Sequence, residues 1–179
     1  MSSSVNLTNA INSFTSSHAI PTCGYIDNEE FLVQHRQFLD IAQNNFSVFH
    51  MNIRSLNANK DKLVLLLSTL KDPFDVIVLS EIWVFNLNFY ANLFPNHNFY
   101  FSLPDSSTVG GIGAYVHKSF SVTIHTLPIP NHLSLDCETL VLEISKNKKT
   151  SVISGFYRHP SPSISNFNEF IEFLMLGFF

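Results

Sequence analysis

The spacing of apolar residues divides the start of the chain into two segments. Residues 1–27 are rich in Ser, Asn and Thr and show no sustained period, which is typical of a flexible polar leader. Residues 28–45 predict a short amphipathic helix, because apolar side chains recur at helical spacing and acidic residues occupy the first turn. One face of this helix carries Phe31, Leu32, His35, Phe38, Leu39 and Ala42.

The next segment predicts a strand, a helix and a second strand. The run FSVFHM (46–51) is rich in residues that favour strands. Behind it, Asn59 is a candidate cap for a helix in which Leu63, Leu66, Leu67 and Leu70 share one face. Asp72 and Pro73 end that helix, and the nearly continuous apolar run DVIVLSEIWV (75–84) is typical of a strand covered on both faces. The three elements predict a βαβ-like unit.

Four further strands and a last helix are predicted beyond residue 109. The runs GGIGAYVHK, SVTIHTL, ETLVLEIS and TSVISGFY are β-branched or alternating and are separated by turn residues. After HPSPS, Asn166 is predicted to cap a helix, with Glu169 reaching back to it and Phe167, Phe170, Ile171 and Leu174 facing inward. Helices interspersed among several strands predict a layered α/β or α+β sandwich over residues 46–179.

Composition narrows the class of protein. A hydrophobic fraction of 45% with 13% charged residues is globular. Cys23 and Cys137 are isolated, so neither a disulfide framework nor a zinc site is indicated, and a reducing intracellular setting is expected. No run approaches the roughly 20 apolar residues that span a bilayer, and the opening residues lack the pattern of a secretory signal.

The net charge of −4, with only ten Lys and Arg, argues against binding nucleic acid through its phosphates. The argument is partial, because a bound metal ion would supply part of the positive charge that faces a phosphate.

Polar residues at the ends of the predicted strands are the candidate catalytic and ligand-binding residues. Asn52 follows the first predicted strand, and taken alone it is better explained as a turn residue, because Asn is common where a strand gives way to a loop. Glu81 follows VIVLS, a run of four apolar residues and a serine, where an ionised carboxylate needs a cation or a polar network unless it reaches solvent. Tyr157 and Arg158 end a later strand and could orient and clamp a phosphate, although a lone dipeptide is a weak signal.

The glycines of GGIGAYV (110–116) lack the lysine of a phosphate-binding loop and the full dinucleotide pattern. The sequence favours a structural reading, in which the backbone at the start of a strand approaches a neighbour closely.

In their order, FHMNIRSL, DVIVLSEIW, GGIGAYVHKSF, ETLVLEI and GFYRHPS resemble the endonuclease domain of non-LTR retrotransposons. This domain is part of the endonuclease/exonuclease/phosphatase superfamily, and the resemblance covers about residues 46 to 175. It implies a DNase I-like α/β sandwich and Mg²⁺- or Mn²⁺-dependent hydrolysis of DNA phosphodiester bonds, without a small-molecule cofactor, in the nucleus.

The resemblance also implies roles for single residues. Asn52 and Glu81 would belong to the active site, with Glu81 binding the metal ion, and Tyr157 would lie beside the scissile phosphate. Arg54 and Arg158 would bind the substrate.

The family's later GDFN-type and SDH-type motifs do not occur in these 179 residues. The sequence therefore predicts a partial domain, truncated before its C-terminal half, with little or no activity. Two alternatives remain: a phosphatase or apurinic-site nuclease relative, and a non-enzymatic binding module.

Overall fold

The computed structural model describes residues 46–70, 74–84, 89–104, 109–130, 137–159 and 164–178. They belong to the second of two compact units, Asn45–Phe179. The predicted leader (1–27) and amphipathic helix (28–45) lie outside the described residues. The elements are β1 (Val48–Asn52), α1 (Leu56–Ser68), β2 (Val76–Ser80), β3 (His97–Ser102), β4 (Ile112–His117), β5 (Ser121–His125), β6 (Cys137–Lys146), β7 (Lys149–Arg158) and α2 (Ile164–Phe178).

The strands form two sheets. The first has the order β1-β2-β4-β3 and the second the order β5-β6-β7. Strands β1 and β2 are parallel and are joined through α1, which confirms the predicted βαβ unit. Their register pairs Asn52 with Ser80, so both strands end at the same edge of the sheet.

The two sheets pack face to face, and each is covered by a helix on its outer face. Between the sheets, Val76, Val78 and Ile112 pack with Leu140 and Leu142. The layers are therefore α/β/β/α, which confirms the predicted layered sandwich. The outer face of the first sheet packs Ile77, Leu79 and Tyr115 with Leu56 and Leu63 of α1, and that of the second packs Cys137 with Phe170 and Leu174 of α2.

Three sequence-based expectations differ from the structure. Strand β3 was not predicted; it pairs only with β4 at the edge of its sheet and shows no regular alternation of buried and exposed residues. Helix α1 is capped by Ser55, whose hydroxyl accepts from Ala58 N–H, so the predicted Asn59 cap is wrong. Helix α2 begins at Ile164, which places Asn166 inside the first turn and not at the cap.

None of the described helices has the length and apolar character needed to cross a membrane.

The β6–β7 hairpin turns through Asn147 and Lys148, both with positive φ (53° and 64°). Two-residue hairpin loops of this kind favour Asn followed by Gly, because a side chain is strained in the left-handed region. We expect Lys148→Gly to raise the free energy of unfolding by about 0.5–1 kcal/mol, measured by urea denaturation. Lys148→Ala, which keeps a Cβ atom, is the control and should bring no gain; equal stabilisation by both variants would contradict the explanation.

His97 is 4% exposed, and its Nε2 donates to the carbonyl oxygen of Phe74 at 2.8 Å. Burial lowers the pKa of His97 below its ordinary value of 6.5. The unfolded chain therefore takes up a proton at a higher pH than the folded chain does. The stability contributed by neutral His97 is present above pH 6.5 and is lost as the pH falls from there through the lowered folded-state pKa.

We expect His97→Gln to flatten the dependence of unfolding free energy on pH between pH 7.5 and 5, since Gln does not titrate. Urea denaturation at several pH values measures this slope. His50→Gln, at an exposed position of β1, is the control and should keep the wild-type slope; an unchanged slope in His97→Gln would refute the assignment.

Candidate active site

Glu81 directly follows β2, next to the end of β1. Its backbone has a positive φ of 57°, which is strained for a residue other than glycine. The segment is held from both sides, since Ser55 N–H donates to the carbonyl oxygen of Glu81 at 2.8 Å and Ile82 N–H donates to that of Gly111 at 3.2 Å. Glu81 as a whole residue is half-buried at the mouth of the sheet.

Asn52 is linked directly to the Glu81 carboxylate. Its Nδ2 donates to Glu81 Oε1 at 2.6 Å, and its Oδ1 accepts from Arg54 N–H at 3.2 Å. The amide is therefore oriented by its own loop and fixes one oxygen of Glu81. The parallel register of β1 and β2 brings together two residues that lie 29 positions apart.

Tyr157 lies near Glu81, on the face of the second sheet that packs against the first. Burial, together with the negative charges of Glu81 and Glu138, raises the pKa of Tyr157 above its usual value of 10. The phenol therefore stays protonated at neutral pH, and its hydroxyl can donate a hydrogen bond to an anionic ligand.

Glu138 is directly opposite Tyr157 in the register of β6 and β7 and is 7% exposed. Its Oε2 accepts from Gly111 N–H, and its Oε1 lies 2.7 Å from His159 Nε2. Burial raises the pKa of Glu138, while the hydrogen bonds from Gly111 and His159 oppose that shift. The His159 ring also contacts Tyr157 edge to face, with 5.2 Å between ring centroids.

The two arginines lie in different places. Arg54, Asn52 and Lys62 line a cavity of about 300 Å³. Arg158 alternates to the opposite face of β7 from Tyr157, and its guanidinium lies 5.8 Å from the centre of the Phe167 ring in α2. The structure thus brings Asn52, Glu81 and Tyr157 together with Arg54 nearby, and it places Arg158 elsewhere.

Glu138 and His159 were not singled out from the sequence. Glu138 had a signal, because the alternation of β6 places it on the same face as Leu140, Leu142 and Ile144, where an acid needs a partner. No comparable signal marked His159, whose partner lies 21 positions away.

The residues present fit a divalent ion held by one protein carboxylate. Among the described residues, the Glu81 carboxylate accepts a hydrogen bond at Oε1 alone, from Asn52, whereas both oxygens of Glu138 have partners. Within the described ranges, no group of three or more His, Cys, Asp or Glu side chains is placed to hold a metal. Mg²⁺ commonly uses only one or two protein carboxylates together with water and substrate phosphate. Glu81 can serve as such a ligand.

The sequence matches no protein-family model, and comparison with curated proteins finds no match. Its structure is similar to the endonuclease domain of TRAS1, a telomere-specific non-LTR retrotransposon, with a TM-score of 0.51 and 15% identity over 71% of this chain and 52% of that one. The chain has the DNase I-like fold. The resemblance noted in the sequence is therefore confirmed for the fold.

Two structures of TDP2 show the same likeness. The D. rerio protein complexed with a single-strand DNA product has a TM-score of 0.53 and 13% identity, covering 73% of this chain and 53% of that one. TDP2 from Caenorhabditis elegans has a TM-score of 0.53 and 16% identity, covering 95% and 52%. The chain thus spans about half the length of these DNase I-like structures.

The predicted close approach at the glycines is confirmed. A Cβ atom on Gly110, whose φ is 117°, would lie 2.6 Å from Oε1 of Glu138. We expect Gly110→Ala to lower the free energy of unfolding by about 2–3 kcal/mol, because the backbone is strained for Ala and the carboxylate is held on both sides.

Urea denaturation measures the loss. Gly155→Ala is the comparison, since Gly155 lacks a positive φ and its Cβ atom would meet a methyl group at 3.0 Å. A loss in Gly110→Ala no larger than that in Gly155→Ala would show that Glu138 can move aside.

Proposed function

We propose that this chain supplies the metal-binding and phosphate-orienting part of a Mg²⁺-dependent DNA endonuclease of the non-LTR retrotransposon type. Residues 46–179 form the partial domain, and its substrate is a DNA phosphodiester in the nucleus. The single observation that carries the proposal is the Asn52–Glu81 hydrogen bond, which fixes one carboxylate oxygen at the mouth of the sheet and leaves the other available.

The roles of the residues follow from their positions. Glu81 binds the metal ion, and Asn52 orients its carboxylate. A bound Mg²⁺ would stabilise negative charge that develops on the phosphate oxygens. Tyr157 donates its hydroxyl to a phosphate oxygen, as its protonated state allows.

Arg54 provides the fork that clamps a neighbouring phosphate of the same strand. Arg158, also predicted to bind substrate, would first have to leave the Phe167 ring. We therefore assign the clamp to Arg54.

We further propose that this chain binds a phosphodiester but does not cleave it by itself. Hydrolysis requires groups that activate the attacking water and protonate the leaving oxygen. In the family these belong to the GDFN-type and SDH-type motifs, which do not occur in these 179 residues.

The Asn52–Glu81 pair also suits a phosphatase or an apurinic-site nuclease. Each of these enzymes acts on a different substrate from the proposed endonuclease. Comparing intact duplex DNA, DNA with an abasic site and a phosphomonoester distinguishes them. A non-enzymatic binding module, in contrast, has no need for a metal ion at Glu81.

We expect Mg²⁺ at millimolar concentration to raise the melting temperature of the wild-type chain, because a ligand that binds only the folded state stabilises it by about 2.7 kcal/mol at 100 times its Kd. Glu81→Ala should abolish the rise, measured against its own metal-free baseline. Glu143→Ala, on a half-exposed acid of β6, is the matched control and should keep the rise.

Nicking of supercoiled plasmid in Mg²⁺ tests the second part of the proposal. The wild-type chain should leave the plasmid intact. Nicking that Glu81→Ala abolishes would disprove inactivity while supporting the endonuclease assignment. A melting temperature indifferent to Mg²⁺ would favour the binding module.

A further inference from the structure

Glu138 is a buried carboxylate at the seam between the two sheets. Its side chain is 6% exposed and that of His159 is 20% exposed, and Oε1 of Glu138 lies 2.7 Å from Nε2 of His159. A buried carboxyl group is costly unless it is hydrogen-bonded, and each oxygen of Glu138 has a hydrogen-bond partner. Because these partners occupy both oxygens, Glu138 is not available as a metal ligand.

The other partner of Glu138 is the turn formed by Gly110 and Gly111, which leads into β4. Both glycines have positive φ values, 117° and 82°. Gly111 N–H donates to Oε2 of Glu138, and a side chain on Gly110 would collide with Oε1. The carboxylate therefore determines where this turn lies.

The same turn also holds the segment that carries Glu81, the proposed metal ligand. Ile82 N–H donates to Gly111 O at 3.2 Å, and Trp83 N–H donates to Gly110 O at 3.0 Å. Glu81 and Trp83 both have positive φ values, 57° and 46°. Strained residues of this kind keep their conformation only when the surrounding structure imposes it.

We propose that the hydrogen-bonded pair Glu138–His159 is a positioning device for the Glu81 carboxylate, acting through the Gly110–Gly111 turn. The inference rests on the proposed function, in which Glu81 binds the metal. Neither residue of the pair contacts the ion. His159 holds one oxygen of Glu138 by a hydrogen bond, Glu138 fixes the turn through the other, and the turn fixes the backbone on one side of Glu81.

A second His–Glu pair, His125 and Glu143, differs from Glu138–His159 in its exposure to solvent. His125 and Glu143 lie 3.1 Å apart in the same sheet, but their side chains are 38% and 41% exposed. An exposed pair is screened by solvent and contributes little. It bonds to no turn that touches Glu81, so it provides a control of matched chemistry.

The test measures binding of Mn²⁺ alone, by titration of the chain with the free ion counted by electron paramagnetic resonance. The variants are His159→Gln and Glu138→Gln, with His125→Gln and Glu143→Gln as controls and Glu81→Ala as the reference for loss of the ligand. We expect the first two to raise the Kd roughly tenfold, as loss of residues that support a metal ligand does. Circular dichroism at the titration temperature establishes that each variant is folded.

The double variant Glu138→Gln/His159→Gln distinguishes one device from two separate effects. If the residues act as a pair, its Kd should be no higher than that of either single variant. Should Glu138→Gln fail to fold, His159→Gln still decides the question, because its side chain lies nearer the surface.

Two other outcomes would overturn the inference. If Glu81→Ala abolishes binding while His159→Gln and Glu138→Gln bind Mn²⁺ like the wild type, the pair has no positioning role and the metal assignment stands. If Glu81→Ala binds Mn²⁺ like the wild type, the proposed function fails and the inference fails with it.

Discussion

The backbone of Glu81 to Trp83 is held in a strained conformation by hydrogen bonds from two separate loops. Ser55 and Leu56 donate to it from the start of α1, and it donates to the Gly110–Gly111 turn before β4. Each left-handed residue other than glycine costs about 1–2 kcal/mol, so these bonds must outweigh that cost. Because the loops precede different elements, the position of the carboxylate depends on both α1 and β4 being in place beside β2.

The electrostatics of the site follow from this arrangement. Glu81 and Glu138 both raise the pKa of Tyr157, so the phenol lies in a negative field. Both oxygens of Glu138 have hydrogen-bond partners, whereas Asn52 offers Glu81 a neutral donor and no positive charge. A phosphate approaching Tyr157 would be repelled unless a cation intervened. The net charge of −4 thus argues less against a phosphate substrate than it would in a protein that binds DNA by basic residues alone.

The βαβ unit and the positions of Asn52 and Glu81 at strand ends were predictable from the sequence. The spacing of apolar residues and the ends of strands depend on residues that are close together in the chain. The cap of α1 was misassigned since Ser55 and Asn59 are both good capping residues, and only the folded loop shows that Asn59 Nδ2 donates to the carbonyl oxygen of Ile53 at 3.0 Å. His159 was beyond prediction for a deeper reason. Its role depends on a partner from another strand, and a single sequence carries no record of which strands pair.

A purely structural reading of Glu81 is difficult to reconcile with its surroundings. A glutamate whose only role is to end a strand needs neither a fixed hydrogen-bond donor such as Asn52 nor a left-handed backbone. A strained backbone that several hydrogen bonds hold in place is typical of functional sites, where a side chain must point in one direction. Here it aims a carboxylate at the edge where β1 and β2 end, beside a protonated tyrosine and a cavity lined by Arg54 and Lys62. Asn52 joins the two parts, because it lines that cavity with Arg54 and Lys62 and also donates to the Glu81 carboxylate. An acid and a hydroxyl donor at this edge are groups that suit a metal-bound phosphate, and they support the proposed nuclease site over a module that binds only another chain.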